Sequence, residues 1–190
     1  MRRAASAVAV GCGITGVAFV AAAYFARQVV VPTTKRKEDL QIRRVFHDTD
    51  ETLMVELPAS ARTTAPGRYS IWFSNGAGHA CIGEIVSAHA GAGTVTRRVE
   101  RVDSGELRTA RVGISSGYVY ATPHPIGLPC SDIQIPVENG MAPVWMFTPT
   151  QASGDSSPWA IHIHGLGGSK VGALRGVPVA NRLGYTSLVV

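Results

Sequence analysis

The chain has 190 residues, 45% of them apolar, with a formal net charge of +5 and a pI near 9.4. That length fits one domain or two small ones, and the apolar share is enough for a folded core. The basic residues are scattered and lack the aromatic interleaving of a nucleic-acid surface, so nucleic acid is excluded as an expected partner.

Residues Ala4 to Ala26 carry no charge. As a helix at roughly 1.5 Å per residue they would reach about 34 Å, enough for a hydrocarbon core of about 30 Å. A single-pass transmembrane anchor, contacting the lipid bilayer through residues 4–26, is therefore the expectation. A cleaved signal segment is the first alternative, because Ala21-Ala22-Ala23 fits a small-residue cleavage pattern. A lipoprotein site at Cys12 fits less well, since Ala9-Val10-Gly11 lacks a large aliphatic residue. Ala5, Ala9 and Gly13 fall at four-residue spacing, which reads as low hydrophobicity rather than a helix-packing seam. Arg2 and Arg3 place the N-terminus inside and the body outside the cytoplasm, against the opposing pull of Arg27, Lys35, Arg36 and Lys37. Cys81 and Cys130 could pair in an oxidising compartment or stay as thiols, and no metal-type cysteine spacing is present.

Three domains are expected: an anchor or signal segment over 1–31, a linker and β-rich accessory module over 32–130, and a third domain over 131–190. In the module, strands are expected at 52–57, 68–73, 82–88, 94–102 and 118–120. Asn75-Gly76, Gly91-Ala92-Gly93 and Asp103-Ser104-Gly105 mark the turns, and the pattern suggests a small sheet or barrel. Beyond it, strands are expected at 132–137 and 142–147, joined by the turn Glu138-Asn139-Gly140. A third strand, 159–163, runs into the turn His164-Gly165-Leu166-Gly167-Gly168. A helix follows over 169–183, with Val171, Leu174, Val177 and Leu183 near 3.6-residue spacing and a kink at Pro178. A last strand spans 185–190, and the strand–helix–strand order predicts a parallel crossover.

The sequence of hairpin, apolar strand ending in His-Gly, glycine-rich turn, helix and Gly184-Tyr185-Thr-Ser-Leu-Val-Val190 resembles the first half of an α/β-hydrolase domain. The likeness covers residues 131–190 and is nearest to membrane-anchored or exported bacterial members with a long N-terminal extension. It implies an α/β fold: the first strands of an α/β-hydrolase sheet, preceded by the β-rich module and the transmembrane helix. It also implies serine-type hydrolysis of an ester, thioester or peptide bond in a small-molecule or peptide acyl substrate. In that family the loop after the third strand supplies one N–H of the oxyanion hole. Carried over, the hole involves His164, Gly165, Leu166 and Gly167, with the donor at Leu166 or Gly167. No member of the catalytic triad is present, so the chain is expected to be an N-terminal fragment, inactive alone. No cofactor and no metal are expected.

Three further readings stay open. Gly113-Ile114-Ser115-Ser116-Gly117 matches the nucleophile-elbow pattern literally, but it lies upstream of the glycine turn and no helix follows, so it reads as a Ser/Gly-rich turn. His162 and His164 could share one strand face and bind a metal, giving a metal-dependent hydrolase. The module could instead be a non-catalytic binding domain. His47, His79, His89 and His124 look isolated.

Overall fold

The computed structural model describes residues 19–31, 37–150, 157–165 and 167–190. The chain divides into two compact units, Met1–Lys35 and Arg36–Val190. The first contains helix α1, described over 19–30. Residues 4–18, with Cys12 and the stripe Ala5, Ala9 and Gly13, lie outside the described residues.

In the second unit the strands are β1 (Leu40–Gln41), β2 (Arg44–His47), β3 (Leu53–Pro58), β4 (Tyr69–Phe73), β5 (Gly78–His89), β6 (Thr94–Ser104) and β7 (Val112–Ser116). They form one antiparallel sheet in the order β1-β7-β4-β5-β6-β3-β2. Its two edges belong to one run of chain. Leu40 pairs with Gly113 on β7, and Arg44 pairs with Glu56 on β3. Between them Ile42 N–H donates to Arg111 O and Arg43 N–H to Glu56 O, both at 2.9 Å. The sheet therefore curls into a half-barrel whose edges are protected by their own connection, which limits free strand edge. Alternation along the strands sends Ile71, Phe73, Ala80, Ile82, Val55, Leu57, Val95 and Val99 into the interior, where Ile42, Leu107 and Ala110 complete the core. Asn75 and Gly76 take positive φ of 55° and 87°, so the expected tight turn joins β4 to β5.

The remaining strands are β8 (Cys130–Val137), β9 (Gly140–Phe147), β10 (Trp159–His162) and β11 (Thr186–Val189). They form a mixed sheet in the order β10-β11-β9-β8, parallel only between β10 and β11. The connection from β10 to β11 contains α2 (Lys170–Ala173), a 3-10 turn (Leu174–Gly176) and α3 (Val177–Arg182). Leu174 and Val177 pack with Phe147 and Val189 in a second core, flanked by Trp145 and Tyr120.

These observations correct the expected fold class. The protein is mostly β, a seven-stranded half-barrel and a four-stranded mixed sheet, and not the helix-covered sheet of an α/β hydrolase. The expected helix over 169–183 is broken into pieces of 4 and 6 residues. Gly172, Gly176 and Pro178 interrupt it, and Leu183, counted in its apolar stripe, is 68% exposed. The single-pass membrane placement is corrected as well. Among the described residues no helix is long and apolar enough to cross a membrane. The described part of α1 would span only about 18 Å at 1.5 Å per residue. Cys81 and Cys130 are both free, the first buried and the second exposed, so the disulfide alternative is not realised.

Candidate functional site

Strand β10 ends at His162, and the chain turns directly after it. Gly168 N–H donates back to Gly165 O at 2.9 Å, which reverses the chain here. Gly167 has φ of 72°, a left-handed conformation that glycine takes without strain. His164 Nδ1 donates to Gly165 O at 2.9 Å; a carbonyl only accepts, so the proton sits on Nδ1. His164, Gly165 and Gly167 are exposed, and no atom lies within 4 Å of where a Cβ on Gly165 would stand. The backbone of Gly165 can therefore be approached closely on the side where a Cβ would stand, while the Gly168 N–H is already engaged within the turn. Leu166, the expected oxyanion donor alongside Gly167, lies outside the described residues.

The turn is backed by a residue from the half-barrel side of the unit. A Cβ on Gly168 would stand 3.0 Å from Tyr118 Oη, and one on Gly172 would stand 2.6 Å from Tyr118 Cε1. Those two glycines are small because the tyrosine ring occupies the adjoining space. Tyr118 follows β7, and the strand expected over 118–120 does not form.

Beneath the turn, His162 Nε2 lies 3.0 Å from Ser187 Oγ. A serine hydroxyl on an imidazole is formally a nucleophile and its base. Here Ser187 has no exposed surface, and the His162 ring is hemmed in by the connection, with a Cβ on Gly176 falling 2.9 Å from its Nδ1. Burial pushes the His162 imidazole below its ordinary pKa, which favours the neutral ring. The pair ties β10 to β11 and offers nothing to a substrate. The metal reading gains no third ligand: among the described residues no group of three His, Cys, Asp or Glu side chains is placed to hold a metal. The strand also ends at His162, so His164 is not held in the strand alternation that the reading required.

Ser115, centre of the literal elbow motif, lies within strand β7 and pairs with Ile71. The expected Ser/Gly-rich turn is thus a strand. Gly113 is small because a Cβ would meet Trp72 O at 2.7 Å, not because a nucleophile turn requires it.

A second polar cluster was invisible in sequence. His79 is fully buried, its Nδ1 lies 2.6 Å from Asp103 Oδ2, and its Nε2 faces Tyr118 O at 3.3 Å. Its two ring nitrogens thereby link β5 to β6 and to the segment after β7. Arg101 Nε pairs with Asp103 Oδ1, and Arg101 Nη2 donates to Val119 O at 3.0 Å. Burial alone would raise the Asp103 pKa, but the hydrogen bonds and charges of Arg101 and His79 together hold it below the ordinary range. From the other side, Arg175 Nη1 donates to Gly117 O at 3.4 Å. Three successive carbonyls, 117 to 119, are thus each held by a basic side chain.

Residues 41–115 match a family profile described as "Domain of unknown function (DUF8805)". No curated protein and no solved structure matches the chain. The matched stretch begins within β1 and ends within β7, the two strands that pair where the chain closes the half-barrel.

Proposed function

We propose that the chain serves hydrolysis of an ester, thioester or peptide bond, and that the turn over 164–168 is the part that holds the oxyanion. One observation carries this reading. An accessible glycine turn leaves the C-terminal end of β10, the first strand of the only parallel pair among the described residues. Ligands of parallel strands gather at that end. A tetrahedral oxyanion needs donors placed beforehand, and one donor is worth about 3–4 kcal/mol in the transition state. The reading assigns no nucleophile to a described residue. Ser187 is buried, and Ser115 lies inside a strand.

The test uses the isotopically labelled full chain and n-butylphosphonate, a tetrahedral oxyanion mimic. The expected result is a saturable shift of the Gly165, Gly167 and Gly168 amide resonances, with no turnover of a short ester. Amides that stay still throughout the titration overturn the reading. Ester turnover sensitive to a serine-directed inhibitor would uphold hydrolysis and overturn the statement that no described residue supplies the nucleophile.

The second reading is a non-catalytic binding module. The match of one family profile to 41–115 favours it, since that stretch coincides with the half-barrel and its own core. Residues 38–130 expressed alone should then unfold cooperatively; a structureless product removes the basis for an independent module.

A further inference from the structure

We infer that Tyr118 is a positioning residue through which the half-barrel sets the geometry of the glycine turn. Its backbone is fixed from the half-barrel. Tyr118 N–H donates to Ser116 Oγ at 3.1 Å, and its carbonyl accepts from His79 Nε2 at 3.3 Å. The imidazole is in turn held by Asp103, which Arg101 also grips. The neighbouring carbonyl of Val119 is held by the same Arg101, so the segment after β7 cannot slide without breaking a buried ionic network. The side chain projects the other way. Its ring fills the space that Gly172 leaves open, and its hydroxyl reaches the side of Gly168.

A turn built from glycines has no side chains with which to fix its own conformation. Glycine loses more backbone freedom on ordering than any other residue, so its ordering must come from what it leans on. Here that support is an aromatic ring whose own position is set by strands β5, β6 and β7. The β-rich module then has a task in the chain's chemistry, as the frame for the turn. The ligand part of this inference rests on the oxyanion reading; the positioning part does not.

The experiment compares Tyr118→Phe, Tyr118→Leu and Gly172→Ala with the parent in the full labelled chain, without ligand and then with n-butylphosphonate. Tyr118→Phe keeps the ring and is expected to retain near-parent turn resonances. Tyr118→Leu is expected to move the Gly165, Gly167 and Gly168 amides and speed their hydrogen exchange about tenfold or more, while Val55 and Phe73 in the half-barrel stay protected. Gly172→Ala pushes on the same ring and should disturb the same three amides. It also answers the question alone if the leucine variant does not fold. Folded Tyr118→Leu and Gly172→Ala variants whose turn amides match the parent overturn the inference, as does loss of protection spread equally through the half-barrel. If the parent fails to bind the phosphonate, the oxyanion reading falls, and the ligand-free comparison still decides the role of Tyr118.

Discussion

Arg97 has no accessible surface, yet it is a full charge with no carboxylate partner among the described residues. Its guanidinium makes five hydrogen bonds, of 2.5–3.0 Å, to the carbonyls of Thr63, Ala65, Gly67 and Gly83. Four carbonyls from the 59–67 loop and β5 are thereby satisfied by one side chain, which is why a turn-rich segment can lie against the sheet. Arg97→Met should cost about 3–5 kcal/mol in urea unfolding, because it strands those acceptors. A loss below 1 kcal/mol would show that the loop finds other donors. Asp103 gives a pH signature instead. Its pKa is depressed in the folded state, so its contribution is complete above the ordinary carboxylate range near pH 4 and is lost as pH falls through the depressed value. Asp103→Asn should therefore be less stable than the parent at pH 7, with the gap closing below pH 4; a gap that stays constant down to pH 3 contradicts the assignment. None of this showed in the sequence. His79 looked isolated because its partners are 24 and 39 positions away, and Arg97 read as one more scattered cation.

At the scale of elements, the turns and the longer strands were legible and the interruptions were not. Positive φ at Asn75, Gly76, Gly93 and Gly105 falls within the turns expected from residue type. Strand β7 was hidden because Gly113-Ile114-Ser115-Ser116-Gly117 carries the composition of a turn, and only its pairing with β4 makes it a strand. The helix between β10 and β11 was overestimated because apolar spacing outweighed three helix-weakening residues in the count. The approach of Tyr118 to Gly168 and Gly172 was not legible, since Tyr118 reaches them only through the tertiary fold. Gly113→Ala tests the revised view of the elbow motif. A Cβ would press on Trp72 O and on Ile71 Cγ2 at 2.8 Å, so the substitution should destabilise by about 1–3 kcal/mol. Ser115→Ala should be close to neutral. Equal tolerance of both would return the segment to a surface turn.

At the scale of the molecule, the two sheets treat their edges differently. The half-barrel closes on itself through 40–47, and β8 carries Asp132 and Pro136, both of which discourage pairing. Strand β10 has no charged residue; its Trp159 and Ile161 are 59% and 65% exposed, and Ile163 just beyond it is 75% exposed. Light scattering should find concentration-dependent larger species in the parent, suppressed by Ile161→Lys, which places a charge on that edge. A parent that stays monodisperse at every concentration rules this out. The closure of the half-barrel has a consequence for synthesis. Hairpins β2–β3 and β5–β6 join neighbours in sequence and can form as they emerge from the ribosome. The rung between Leu40 and Gly113 spans almost the whole module, so Leu40 and Ile42 wait, uncovered, until β7 has been made. A nascent chain halted before Gly113 holds most of the strands and none of the closure, and any pause in translation there leaves its most aggregation-prone intermediate in the open.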